Sequence, residues 1–168
     1  MKMKLFSGEM VVDRHNSHLH ETGSMAELLP EALNKINARG RDFLIEEIDF
    51  GRVIGETICV ATGHSDQIIF ARRPKRAGLT RFVKNRRPQP CSSLVVILKK
   101  AEEDDRYVLI TAFVGHISRP EPWDERAFLK QEEPKLAREE SISFWSTHAL
   151  VWGYEETVPG TQTTECPW

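Results

Sequence analysis

The stretch "SLVVILKKAEEDDRYVLITAFVG", which runs from Ser93 to Gly115, decides the fold. It contains two runs rich in Val, Ile and Leu, and a short acidic segment lies between them. This pattern predicts two antiparallel strands joined by a turn. The two runs are almost continuously apolar rather than alternating, so we expect both strands to lie centrally in a sheet with both faces covered.

Shorter segments of strand-like composition precede this hairpin. They are rich in β-branched and aromatic residues, and Gly, Pro or charged clusters separate them. This spacing predicts consecutive antiparallel strands. The segments are "DFLIEEIDF", "RVIGETICVAT", "DQIIFARR" and "LTRFVK".

Helical patterns lie on either side of the strand-rich region. Residues 24–40, "SMAELLPEALNKINARG", predict a helix in which Ser24 and Glu27 match a capping box. Pro30 implies a bend in this helix or a start one turn later. The charged residues 125–140 predict a partly helical excursion, and the following "SISFWSTHALVWG" is expected to pack on the sheet as a helix or a last strand.

These elements predict an α+β architecture. We expect a short N-terminal helical segment packed on a curved antiparallel sheet of five to six strands, with a C-terminal covering segment. The predicted organisation is an N-terminal extension at 1–23, a single α+β domain at 24–153 and a loosely held C-terminal tail at 154–168.

Composition narrows the class of protein. The chain has 168 residues, of which 40% are hydrophobic and 29% charged, which is typical of one soluble globular domain. It has no apolar run of the length that crosses a membrane, so we expect no membrane partner. Three scattered cysteines, Cys59, Cys91 and Cys166, match neither a disulfide framework nor a zinc site, and they favour a cytoplasmic location.

A basic stretch between Thr62 and Pro88 stands out because the whole chain has a net charge of −2. Its cations predict a surface for a phosphate-bearing ligand, since arginine and lysine bind phosphate and release counterions. The alternative is a solvated edge strand whose charges discourage aggregation. The basic residues are Arg72, Arg73, Lys75, Arg76, Arg81, Lys84, Arg86 and Arg87.

His64, in the loop just before the basic stretch, is a candidate general acid or base. Cleavage of RNA without a metal needs such a group and cations that stabilise the charge developing on phosphorus. Thr80 or Thr111 would supply a hydroxyl partner. The alternative is a turn histidine that is simply solvated.

Other polar and aromatic residues form a secondary group of candidates. His116 follows the end of a predicted strand, where ligand-binding groups are often placed, and Trp123 either stacks on a base or packs. Trp145 and His148 are three positions apart and would share a helix face, where a histidine is more often a satisfied core group. Three N-terminal histidines suit a metal only in principle, because the other half of such a site is not apparent. They are His15, His18 and His20, with Glu21 beside them.

The order of these parts resembles the metal-independent ribonucleases grouped as the barnase, EndoU, colicin E5/D and RelE-like superfamily. The resemblance covers roughly Met25 to Gly115 and includes the "ITAF" strand of the hairpin. It implies catalytic roles for His64, for Arg72, Arg73 or Arg81, and for Thr111. Phe113 stands where the family usually has a tyrosine, and the C-terminal third lies outside the family pattern.

The resulting hypothesis is a metal-independent, toxin-like endoribonuclease that needs no cofactor. Its partners would be RNA or another phosphate-bearing ligand, and an acidic inhibitor or antitoxin protein. One alternative is a non-catalytic module that binds nucleic acid or an acidic protein through the basic face at 72–87. Another is a metal-dependent enzyme that uses the N-terminal histidines. The expected phosphate-binding residues are Lys75, Arg76, Thr80, Lys84, Arg86 and Arg87.

Overall fold

The computed structural model describes residues 3–13 and 25–168, which form two compact units. The first unit comprises Met1–Glu56 and Pro90–Ile117, and the second comprises Thr57–Gln89 and Ser118–Trp168. The chain therefore leaves the first unit, returns to it through the predicted hairpin, and ends in the second. Ser24, the N-terminal histidines and most of the predicted extension lie outside the described residues.

A five-stranded sheet organises the first unit. Its spatial order is β1-β2-β10-β9-β3, so the predicted hairpin, β9 and β10, lies inside the sheet and is confirmed. All its pairings are antiparallel except the parallel pairing of β2 with β10. The strands are β1 (Met3–Lys4), β2 (Met10–Val12), β3 (Phe43–Asp49), β9 (Ser93–Lys100) and β10 (Tyr107–Val114).

One face of this sheet forms the core of the first unit. Helix α1 (Met25–Leu33) buries its apolar side chains in the same cluster as Leu44, Leu98 and Leu109 of the sheet. The Tyr107 hydroxyl donates to the carbonyl oxygen of Arg41 at 2.6 Å. Because successive side chains of a strand alternate between faces, the residues between these core positions point to the other face.

That other face is largely open. Phe43 and Ile45 of β3 are 53% and 44% exposed, and Phe113 of β10 is 41% exposed. The expectation that the hairpin is covered on both faces is therefore met by the first half of β9 and is wrong for β10.

A four-stranded sheet organises the second unit, in the order β5-β11-β7-β6. Its pairings are antiparallel except for β11 with β7. Helices α2 (Glu125–Leu129) and α3 (Pro134–Thr147) precede β11 in the chain. The strands are β5 (Cys59–Ala61), β6 (Ile68–Arg72), β7 (Leu79–Val83) and β11 (His148–Val151).

The α+β class is confirmed, but strands expected as neighbours in one sheet are divided among three. The segment "RVIGETICVAT" forms two strands: β4 (Gly55–Thr57) pairs with β8 (Gln89–Cys91), and β5 joins the second sheet. The physical reason lies late in the chain, because β11 occupies the position between β5 and β7. The C-terminal covering segment, expected as a helix or a last strand, contains both, since α3 continues directly into β11.

The C-terminal tail is attached to β6, which differs from the expected loose extension. Phe70 and Thr163 exchange both backbone hydrogen bonds, at 2.8 and 2.9 Å. The Trp168 ring meets the Phe70 ring edge to face, with 5.3 Å between the centroids. These contacts extend the second core, which contains Phe82, Trp145 and Leu150. In the described part of the chain, no helix is both long and apolar enough to cross a membrane.

The contact between Gly78 and Trp123 gives a test of the packing in the second unit. A Cβ atom at Gly78 would lie 2.2 Å from Cγ of Trp123. We expect Gly78→Ala to lower the free energy of unfolding by about 1–3 kcal/mol, since overpacking forces side chains from their rotamers. Urea unfolding measures the loss. The control is Gly63→Ala, where no atom lies within 4 Å; equal stability of the two variants would contradict the contact.

Candidate functional site

Arg73 is bound by its own chain in the second unit. Its Nε donates to Oγ1 of Thr80 at 3.1 Å, and its Nη2 donates to Oε2 of Glu121 at 2.9 Å. Nη1 lies 3.9 Å from a carboxylate oxygen of Glu155. The Arg73 side chain is 15% exposed and Thr80 is fully buried. The two carboxylates balance the charge of the Arg73 guanidinium, which weakens its attraction for a phosphate.

Arg81 connects three segments of the second unit. Its Nη1 donates to Oγ1 of Thr62 at 2.8 Å and to the carbonyl oxygen of His148 at 2.9 Å. Burial lowers the pKa of Arg81 below its ordinary value, while the charges of Cys166 and Asp66 act in the opposite direction. The guanidinium stays charged at neutral pH. These contacts hold β7 to the residues beside β5 and β11.

Arg86 holds the turn that carries His64. Its Nε and Nη2 donate to the two carboxylate oxygens of Asp66 at 2.8 and 3.0 Å. The Asp66 side chain is 3% exposed and also accepts from the backbone N–H of Gly63 at 2.7 Å. The Arg86 guanidinium and the Gly63 amide lower the pKa of Asp66. His64 itself is exposed at this turn.

The remaining cations of the basic stretch lie at the surface of the second unit. Arg72 Nη1 donates to the carbonyl oxygen of Arg76, and the Lys84 ammonium lies 5.6 Å from the Trp152 ring centroid. Thus three arginines of the stretch support the fold, and other cations stay exposed. The exposed ones without a carboxylate partner among the described residues are Lys75, Arg76, Lys84 and Arg87.

The predicted catalytic residues fall in both units. His64 and the basic stretch belong to the second unit, whereas Thr111 lies on β10 of the first, opposite Ile97. The catalytic and phosphate-binding roles assigned to these residues stay predictions. The predicted helix face shared by Trp145 and His148 is wrong, because α3 ends at Thr147 and His148 begins β11.

The secondary aromatic residues have structural contacts in the second unit. Nε1 of Trp145 donates to the carbonyl oxygen of Arg119 at 3.0 Å. The His148 ring stacks on Phe144 with 4.1 Å between centroids, and Trp123 packs on Gly78. His15, His18 and His20 lie outside the described residues. Among those that are described, no group of three His, Cys, Asp or Glu could hold a metal ion.

A different cluster forms in the first unit, at one end of its sheet. Strand β9 runs antiparallel to both neighbours, with Ser93 opposite Asp49 of β3 and Leu94 opposite Val114 of β10. The start of β9 therefore meets the ends of β3 and β10. Polar side chains converge at this end: they are Cys91, His116 and Glu47.

The His116 ring lies between a thiol and a carboxylate. Its Nε2 is 3.8 Å from Sγ of Cys91, and its Nδ1 is 3.1 Å from Oε2 of Glu47. The second Glu47 oxygen accepts from the backbone N–H of Ile117 at 2.7 Å, which fixes the carboxylate. A carboxylate at Nδ1 favours the tautomer with its proton there, so that Nε2 can accept the thiol proton.

The backbone of Ser93 contacts the Cys91 sulfur through both its carbonyl and its amide. The thiol donates to the Ser93 carbonyl oxygen at 3.6 Å. The N–H of Ser93 donates to Sγ at 3.5 Å. The Cys91 residue is 4% exposed, whereas the His116 side chain is 62% exposed. The buried thiol therefore lies between the Ser93 backbone and the exposed imidazole. This cluster, Cys91, His116 and Glu47, is hereafter the thiol site.

In the sequence His116 stands out by its place after a predicted strand, but its partners do not. Cys91 is one of three scattered cysteines, and Glu47 is one residue of a predicted strand. A usable signal was present, because the residues just before and just after an antiparallel hairpin must lie close together. Cys91 and His116 hold those two places. Glu47 needed the register of a third strand, which the sequence does not state.

Comparison with known proteins concerns the fold alone. No protein-family model matches the chain, and no curated protein matches it. Among solved structures, it is similar to a conserved hypothetical protein from Toxoplasma gondii ME49, with a TM-score of 0.56 and 16% sequence identity. The match covers 94% of this chain and 97% of the other. The resemblance to the ribonuclease superfamily stays a prediction.

The Arg73–Glu121 pair tests the structural role of the basic stretch. We expect Arg73→Met to lower the free energy of unfolding by about 3–5 kcal/mol, because it leaves the buried Glu121 carboxylate unpaired. The double variant Arg73→Met/Glu121→Leu should regain most of this loss, since neither charge remains buried. Denaturant unfolding of both proteins measures the difference. Equal losses in the single and double variants would contradict the pairing.

The Asp66–Arg86 pair predicts a dependence of stability on pH. The folded pKa of Asp66 lies below its ordinary value of 3.8. The unfolded chain therefore binds this proton first, and the contribution to stability is complete above pH 3.8 and is lost as the pH falls through the lower, folded value. We expect the difference in Tm between the wild type and Arg86→Gln to shrink over that range. Arg87→Gln, at a neighbouring exposed arginine, is the control; a difference that is constant with pH would contradict the prediction.

Proposed function

We propose that the thiol site makes this protein a cysteine-dependent acyl hydrolase or acyltransferase. The observation that carries the proposal is the position of the His116 ring, with Nε2 toward Cys91 Sγ at 3.8 Å and Nδ1 toward Glu47 at 3.1 Å. A nucleophile beside a base, with the base oriented by a third group, is the arrangement that recurs in covalent catalysis.

The reaction follows from the three side chains. Nε2 of His116 takes the proton of the Cys91 thiol, and the thiolate attacks the carbonyl carbon of an ester or amide. The bond to the leaving group breaks as His116 returns the proton to the departing oxygen or nitrogen, which leaves a thioester on Cys91. Water, or another acceptor whose proton passes to His116, then attacks the thioester and releases the acyl group and the thiol.

Glu47 is a positioning residue in this scheme. It contacts neither the sulfur nor the carbonyl carbon, and it acts by holding the imidazole in one orientation and stabilising the imidazolium. The Ile117 N–H holds Glu47 in turn, at 2.7 Å. The separation of 3.8 Å between nitrogen and sulfur suits a resting state, because catalytic hydrogen bonds often shorten when substrate binds.

The thiol site supports a function better than the basic stretch does. Three arginines of the basic stretch have partners within the chain, and no hydrogen bond of the His64 ring is found among the described residues. His116, in contrast, has a nucleophile on one side and an orienting carboxylate on the other. The endoribonuclease hypothesis stays a prediction, and it requires RNA cleavage that is lost in His64→Ala and retained in Cys91→Ala.

Alkylation of individual cysteines tests the proposal. We expect iodoacetamide at neutral pH to label Cys91 through removal of its proton by His116, at a lower rate than the exposed Cys166 because Cys91 is almost fully buried. Burial raises the pKa of Cys59 to about 11, so this thiol stays protonated and should react slowest. His116→Ala should slow labelling of Cys91 by about tenfold or more. Mass spectrometry of tryptic peptides gives the three rates in one protein.

The matched controls lie within the same chain. The rate at Cys166 should be unchanged in His116→Ala, which excludes a general change of reactivity. Hydrolysis of p-nitrophenyl acetate should be lost in Cys91→Ala and retained in Cys166→Ala. Labelling of Cys91 that is unchanged in His116→Ala, or ester hydrolysis that survives Cys91→Ala, would disprove the proposal.

A further inference from the structure

The open face of the first sheet ends at the thiol site, where Val95, opposite Glu47, is itself buried at 1% exposure. Phe43, Ile45 and Glu47 alternate with core residues on β3, so their side chains share one face. On β9, Val95 lies opposite both Glu47 and Phe113, and Ile97 lies opposite both Ile45 and Thr111. The thiol site is therefore at one end of a face whose middle is lined by apolar groups and Thr111, with Asp49 beside the thiol site and Lys99 at the far end.

This face is unusual for a chain with so much charge. Phe43, Ile45 and Phe113 are 40% exposed or more, although 29% of the residues in the chain are charged. The next charge along the face after Glu47 is Lys99, which lies opposite Phe43 at the far end. An exposed apolar patch of neighbouring side chains marks a place where something apolar binds. Its continuity with Glu47 makes the substrate of the thiol site the occupant that fits.

We infer that the acyl group transferred at Cys91 is an extended aliphatic chain, which lies along the face between Glu47 and Phe43. This inference rests on the proposed function. Phe43 and Glu47 are four positions apart on β3, which corresponds to about 13 Å along the strand. A medium-length aliphatic chain, with its carbonyl at Cys91, would cover Phe113, Ile45 and Phe43 in turn.

The burial of Cys91 agrees with such a substrate. Cys91 is almost fully buried, so a flexible, narrow group reaches its sulfur more easily than a branched or folded one. The middle of the face offers no charged group to a polar substrate. It offers apolar contact and the Thr111 hydroxyl, and apolar contact gains free energy in proportion to the area removed from water.

The experiment is a chain-length series of p-nitrophenyl esters from acetate to dodecanoate, whose extended chain spans the distance from Glu47 to Phe43. We expect kcat/KM of the wild type to rise about twofold for each added methylene, roughly half of what full burial of a methylene would give. Phe43→Ser and Phe113→Ser should each reduce this dependence, because each removes apolar area that the longer chains cover.

Phe6→Ser is the matched control, because Phe6 is an exposed phenylalanine of the same unit that lies outside the strands. It should keep the full dependence on chain length. If acetate is hydrolysed in a Cys91-dependent manner but kcat/KM does not change with chain length, the inference is overturned and the proposed function stands. If no ester is hydrolysed in a Cys91-dependent manner, the proposed function fails and the inference falls with it.

Discussion

The antiparallel pairing of β9 with both of its neighbours is the constraint on which the first unit depends. A central strand that runs against two flanking strands brings its own start next to both of their ends. Here that geometry places Cys91 beside His116 and His116 beside Glu47, although the three residues are far apart in the chain. The thiol site is thus a consequence of sheet direction and register, and a one-residue slip of β3 would turn Glu47 to the opposite face.

The same pairing divides the first sheet into two chemically different faces. One face packs against α1 and provides the core that stabilises the unit, and the other carries Phe43, Ile45 and Phe113 into solvent. The exposed part of these side chains contributes nothing to folding by burial, since it stays in contact with water. Its position beside the Cys91–His116 pair is the physical basis for the proposed aliphatic substrate.

Charge has a different role in the second unit. Its strands are short, and Arg73 joins β6 to Glu121, with which no backbone pairing connects it. Arg81 and Arg86 reinforce segments that already pair through the backbone. The acids Glu121 and Asp66 are almost buried, and a buried carboxylate is stable only with a cationic or hydrogen-bonded partner. The local excess of positive charge in a slightly acidic chain is therefore partly the counterpart of carboxylates that lie elsewhere in the sequence.

The sequence alone determined the α+β class, the β9–β10 hairpin and most strand positions, because composition, periodicity and turn chemistry act over a few residues. It also marked His116 by its place after a strand. The tertiary structure decided that β11 separates β5 from β7, that Arg86 binds Asp66, and that Cys91 and Glu47 meet His116. Each of these arrangements depends on pairing between segments that are distant in the sequence. Many strand registers are compatible with the local sequence, and the packing of the whole chain selects one of them.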